Sequence, residues 1–165
     1  MNMSKADFTT EWLKEAHITE QVMNALTDDS LKTAITEQHR TLGQLAWHLV
    51  MSIQYMTMLG LQFEGPSREQ NIPDSAAEIT DSYRRIRLAL LDAVQSQWSE
   101  EDLRATREFD GEPWTNAAFL HFTLVHQAHH RGQMTVLMRQ AGLRIPELYG
   151  PTYDSWIDKG MDPLV

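Results

Sequence analysis

Four stretches of the chain carry apolar residues at the spacing of buried helices, separated by segments rich in polar residues, Gly and Pro. The first covers about Phe8 to Leu26, with Trp12, Leu13, Ala16, Val22, Met23 and Leu26 as its apolar stripe. Thr27-Asp28-Asp29-Ser30 breaks the pattern with residues that favour turns and caps. Leu31 to Gln38 reads as a connector with at most a short helical turn. Thr41-Leu42-Gly43-Gln44 fits a capping box, with Thr41 as N-cap and Gln44 reaching back from the third helical position. The second helix, Leu45 to about Leu61, is apolar nearly all round, as expected of a segment buried on several sides or packed on a second subunit.

Phe63 to Pro73, with Gly65-Pro66 and Asn71-Ile72-Pro73, reads as a loop. Ser75-Ala76-Ala77-Glu78 fits a second capping box, opening a helix to about Trp98. Ile79, Tyr83, Ile86, Leu90 and Val94 form its inner stripe, and Arg84, Arg85 and Arg87 face more outward. Ser99 to Trp114 is a polar excursion with Asp110-Gly111 near its tip, where a short hairpin or strand pair fits. The fourth helix runs from about Thr115 to Gln140 and is ended by Ala141-Gly142. The tail from Leu143, through Pro146, Tyr149-Gly150-Pro151 and Trp156, is too aromatic for a solvated tail and is expected to dock on the body. The pattern predicts an all-α fold, a four-helix bundle with a docked C-terminal tail, as a single domain over residues 1–165 without internal repeats.

Composition narrows the chemistry. At 165 residues the chain can bury one substantial core, and 42% hydrophobic with 22% charged residues is ordinary for a globular protein. With no cysteine, disulfides and thiolate metal sites are excluded, so any metal must be held by nitrogen or oxygen donors. A net charge of −9 leaves no basic stripe to neutralise phosphates, which argues against a nucleic-acid partner. Met1-Asn2-Met3-Ser4-Lys5-Ala6-Asp7 lacks a signal-type apolar run and no segment approaches membrane-spanning length, so no membrane association and a cytoplasmic location are expected.

The candidate chemistry lies in His126-Gln127-Ala128-His129-His130-Arg131-Gly132-Gln133 of the fourth helix. Residues four apart differ by only about 40° around a helix axis, so His126 and His130 share one face and can grip one ion, while His129 points about 100° away from His130. His48 sits mid-helix in apolar surroundings, where an imidazole must find a partner. Gln44, His48, Ser52 and Tyr55 form one polar stripe on that helix. His48, His126 and His130 together would suit Zn(II), Ni(II), Fe(II) or Mn(II), with at least one coordination position left for water or substrate. The plainer alternative is polar residues on a partly exposed face. His121 falls on another face, and His17 and His39 lack partners at metal spacing. Tyr55 and Gln133 are candidates to contact substrate, move a proton or orient a ligand. Arg131 is expected to pair with a carboxylate or an anionic substrate group, and Gly132 to mark a close helix approach or a local packing need.

The run Thr41-Leu42-Gly43-Gln44-Leu45-Ala46-Trp47-His48, followed much later by His126-x-x-His129-His130-Arg131-Gly132-Gln133, resembles the DinB-like (damage-inducible) family of helical-bundle metalloproteins. The tail Ile145-Pro146-Glu147-Leu148-Tyr149-Gly150-Pro151 is similar to that of some members. The resemblance implies a helical bundle, often dimeric, with a divalent metal, zinc foremost, on a triad that falls on His48, His126 and His130. It also implies a small-molecule substrate and, from several relatives, a low-molecular-weight thiol as cosubstrate in S-transfer or isomerisation. Alternatives within reach of the same residues are metal-hydroxide hydrolysis and a non-enzymatic, metal-holding stress or ligand-binding dimer.

Overall fold

Each helix begins at a hydroxyl residue that satisfies an otherwise free N–H group. In the computed structural model, which describes residues 3–67 and 69–164, Ser4 caps α1 (Lys5–Asn24), and Thr41 caps α2 (Leu42–Ile53). Ser75 caps α3 (Ala76–Gln97), and Thr115 caps α4 (Asn116–Gln140). Met1 and Asn2, part of the segment read for a signal, lie outside the described residues.

The Thr41–Gln44 box forms in both directions, whereas Ser75 accepts from Glu78 N without a returning bond. The first helix starts earlier than its apolar stripe suggested because Ser4 and Asp7 make a reciprocal box of their own.

The second helix is shorter than expected. After Ile53 the chain tightens into a 3₁₀ segment, Gln54–Leu59, and turns away at Gly60 with φ +96°. The connector before α2 contains a 3₁₀ turn, Asp28–Lys32, capped by Thr27. It presses against the start of α2, where a Cβ on Gly43 would stand 3.1 Å from the Leu31 carbonyl oxygen. Only a glycine lets the two backbones approach so closely.

The long helices pack crosswise, α1 on α3 and α4, and α2 on α3 and α4. The apolar excess of α2 is absorbed within the chain: Leu42, Leu45, Trp47, Leu49, Val50 and Ile53 are all buried. That helix therefore needs no second subunit to cover it. Trp12 anchors α1, fully buried with its indole N–H donating to the Arg87 carbonyl at 2.9 Å.

The fold is not purely helical. Strands β1 (Thr106–Phe109) and β2 (Glu112–Thr115) pair antiparallel, with Arg107 opposite Trp114. Asp110 and Gly111 both take positive φ, 53° and 78°, as a tight two-residue hairpin turn requires. The fold is mostly helical, and this strand pair falls at the Ser99–Trp114 excursion, where the Asp-Gly turn signal fits a short hairpin.

Gly142, at φ +74°, closes α4 with bonds from Gly142 N to Arg139 O and from Leu143 N to Met138 O, a Schellman ending. The tail then docks through its first half. Ile145 is buried and Leu148 packs on the core, while the short α5 (Tyr153–Asp158) has no buried residue.

Candidate metal centre

The packing of α2 on α4 brings His48 against His126 and His130. One turn separates the two α4 histidines, and α2 supplies the third from the facing helix. His48 Nε2 stands 3.0 Å from His126 Nε2, and ligating atoms of all three imidazoles lie within 4.8 Å of one another. Two nitrogens bound to one ion at about 2.0–2.1 Å must lie within about 4.2 Å of each other, which the His48–His126 pair satisfies. The donor set is three imidazoles, and no Cys, Asp or Glu joins them among the described residues.

The surroundings favour neutral rings. Burial, then the neighbouring His130 and the Arg40 and His126 charges, push His48 down to about 4. Burial, His130, His129 and Arg40 push His126 down to about 4 as well. Burial also lowers His130, opposed by its bond to Gln133. Neutral imidazole is the form that binds a metal, so proton competition is weak here near neutrality. Gln133 Oε1 lies 2.7 Å from His130 Nδ1, which assigns the ring proton to Nδ1 and leaves Nε2 as the free donor.

Behind the histidines, a buried polar network sets the position of α4. Gln127, with no exposure, donates to the Leu49 carbonyl of α2 and accepts from the Tyr83 hydroxyl of α3 at 3.1 Å. Arg131 is 1% exposed and pairs with Glu15 of α1, also donating to Thr19 Oγ1 at 2.7 Å. The Tyr149 hydroxyl closes this network from the tail, accepting from Arg131 and donating to Glu15 Oε2 at 2.5 Å. Burial, then the bond to Glu15, push the Tyr149 phenol up to about 12.

Other residues singled out in the sequence fall as follows. Arg131 takes the carboxylate partner, not a solvent-facing role. Gly132 is exposed, and nothing lies within 4 Å of where its Cβ would stand, so no close approach within the chain selects it. His129 is exposed and meets Gln133 Nε2 at 3.2 Å. His17 and His39 are exposed, and His121 sits with Trp114 and Phe122 away from the triad.

Tyr55 leaves the polar stripe because α2 has already ended. Its ring packs on Phe109 and Phe119 at 6.0 Å each, and its hydroxyl makes no hydrogen bond with the described residues. From there an aromatic run passes through Trp114 and Phe122 to His126, whose ring is 5.4 Å from that of Phe122. Sequence reading missed Glu15, Gln127, Tyr83 and Arg40. Gln127 and Glu15 lay on apolar helix faces, a signal that was present; Arg40, in the connector, had none.

A cavity of about 330 Å³ adjoins His130 and Gln133. A larger one, about 550 Å³, lies by Asp28, Asp29 and Asp74 and touches none of the three histidines. The smaller is the relevant one, because the only cluster of candidate ligands among the described residues opens beside it.

The chain is 43% identical over 156 residues to the uncharacterized protein YrdA of Bacillus subtilis, covering 94% of this chain and 93% of that one. The crystal structure of a DinB-like protein from Bacillus cereus matches with a TM-score of 0.85 at 43% identity, covering 90% of this chain and all of that one. A second DinB-like protein, YjoA of Bacillus subtilis, shares the fold at 16% identity with a TM-score of 0.67, covering 87% of this chain and 99% of that one. The model of the DinB family matches residues 1–161, and with the relative of 43% identity beside it the chain belongs to the DinB family.

Proposed function

We propose that this protein is a metal-dependent enzyme acting on a small molecule, with His48, His126 and His130 as ligands and thiol-dependent S-transfer or a related reaction as its chemistry. The observation that carries this reading is the convergence of three imidazoles, with no fourth ligand joining them among the described residues, beside a cavity. Structural zinc sites are closed by four protein ligands, whereas catalytic ones keep a position for substrate or water. Zinc leads among the candidate ions, with nickel, iron and manganese compatible with the same donors. When bound, such an ion would supply Lewis acidity that lowers the pKa of a coordinated thiol or water.

The chain's own residues do the rest. Gln133 holds His130 in the tautomer that presents Nε2. The Gln127 and Arg131 networks keep α4 in register with α2 and α1, so that the two halves of the site meet. Phe122 and its aromatic neighbours cover one side of His126 and limit water there.

A second reading, a metal-holding protein without catalysis, draws support from one feature: among the described residues no carboxylate joins the histidine cluster as acid or base, and the Tyr55 ring packs in the aromatic cluster on Phe109 and Phe119. Elemental analysis of untagged protein tests the common ground. Near one equivalent of metal, lost in His48→Ala and His130→Ala, is expected; no metal after incubation with Zn(II), Ni(II) or Mn(II) overturns both readings. Consumption of a small thiol with a fluorogenic chloro electrophile, dependent on that metal, separates them.

We also propose a homodimer through the outer face of α4. Phe122, Val125 and Val136 are 41%, 52% and 48% exposed, and with His129 and the open Gly132 they repeat every three and four residues. That is the spacing of a helix-pairing seam.

A further inference from the structure

Between the connector that precedes α2 and the C-terminal half of α4 lies the cavity of about 330 Å³ that reaches His130. Its floor is apolar, since Leu45 and Leu137 line it and are 5% and 2% exposed. Ile35 and Val136 extend that surface to the rim, at 61% and 48% exposure. Arg40 and His39 stand on the same rim.

The charge pattern is unusual for this chain. It carries 23 Asp and Glu and a net charge of −9, yet no carboxylate of the described residues lines this cavity. Arg84, Arg87, Arg131 and Arg144 each pair with a carboxylate, while Arg40, like Arg85, Arg104, Arg107 and Arg139, forms no ion pair among the described residues; of these five, Arg40 is the one at this cavity. Arg40 and His130 line the same cavity. A lone surface arginine is ordinarily just a solvated cation. Here the guanidinium borders an apolar floor that ends at a candidate metal centre, and a ligand rather than a side chain is left to neutralise it.

The geometry points to a small carboxylate with a short aliphatic segment as the occupant of this cavity, its carboxylate held by Arg40 and its chain lying over Leu45 and Leu137. The planar guanidinium matches a carboxylate through two parallel hydrogen bonds, and the apolar floor rewards burial of methylene groups. Anchored in this way, a group at the other end of the molecule would be delivered towards His130. This assignment rests on the reading of the same centre as a small-molecule site and gives that substrate its class.

Hexanoate is a suitable probe, with hexylammonium as the charge-reversed control, followed by methyl resonances of Leu45, Val136 and Leu137 in the full-length protein. Hexanoate is expected to shift these resonances in wild type and in metal-free His126→Ala, and hexylammonium is expected not to. Arg40→Gln, a change at an exposed position, is expected to weaken hexanoate binding about tenfold or more, the usual scale for a lost charge-assisted bond. Equal shifts from hexylammonium, or unchanged affinity in Arg40→Gln, would overturn the assignment. So would hexanoate binding that needs metal and ignores Arg40, because the carboxylate would then sit on the ion. Metal content of the same samples separates this from the metal reading: Arg40-dependent binding by a protein that never takes up metal removes only the latter.

Discussion

Gln133 accepts a hydrogen bond from His130 at 2.7 Å, three residues along the same helix, and so decides which nitrogen of that imidazole faces His48 and His126. Removing the amide leaves the ring free to turn and to change tautomer. Gln133→Leu should lower metal affinity by roughly 10- to 100-fold, the range found for lost partners of ligating histidines. Competition titration against a chromogenic chelator measures this, and a circular dichroism spectrum like that of wild type should accompany it, since Gln133 is exposed.

Arg131 and Glu15 join α4 to α1 in a buried pair. Truncating one member strands the other charge, so Arg131→Met should cost about 3–5 kcal/mol in urea denaturation. The double variant Arg131→Met with Glu15→Leu should recover part of that loss, because no charge is left unpaired. Additive costs would show that the two side chains act separately.

The metal-free protein should lose stability as pH falls from neutrality. Burial first, then neighbouring charges, push His48 and His126 down to about 4 in the fold from an ordinary value of 6.5. Between those values the unfolded chain binds more protons than the folded one, so stability rises with pH across this window and is complete above it. Urea midpoints of chelator-treated protein at several pH values should follow that slope, and His48→Gln with His126→Gln should flatten it.

Two glycines should respond in opposite directions to alanine. At concentrations where the chain is monomeric, Gly132→Ala meets open space on an exposed helix face and should stabilise it by about 0.5–1 kcal/mol, whereas in the proposed α4-paired dimer the added methyl would stand in the seam. Gly43→Ala pushes a methyl to 3.1 Å from the Leu31 backbone and should lower the melting temperature. A loss of stability at Gly132 instead would show that another surface occupies the space beside it.

Val125 and Val136, both about half exposed on α4, test the proposed pairing of two copies. Val125→Glu with Val136→Glu should convert a dimer to a monomer in sedimentation velocity without altering the helical spectrum. Wild type that already sediments as a monomer at low micromolar concentration would dispose of this interface.

The helices and the histidine cluster were legible because both rest on local periodicity: capping residues at Thr41 and Ser75, and a four-residue spacing at His126 and His130, act within one turn. The Asp110-Gly111 turn, and the short hairpin around it, were legible for the same reason. What escaped depended on distant residues. Tyr55 left its stripe because α2 tightens after Ile53, and no residue in that run signals the change in helix type. Arg40 became interesting only when its connector folded back beside His130, a contact between parts of the chain separated by 90 residues. The greasy surface of α2 was correctly read as one needing cover, but its cover is the chain's own α3 and α4.

The three histidines stand on two long helices tied down by buried polar bonds, whereas Ile35, His39 and Arg40 stand on the irregular connector between α1 and α2. Loops tolerate substitution and length change far better than packed helices. Mutational drift can therefore rewrite what enters the cavity while the reactive end stays in place. Diversification of relatives on this scaffold should accordingly be concentrated in residues 33–40, and grafting that short segment between family members is a direct route to exchanging their selectivity.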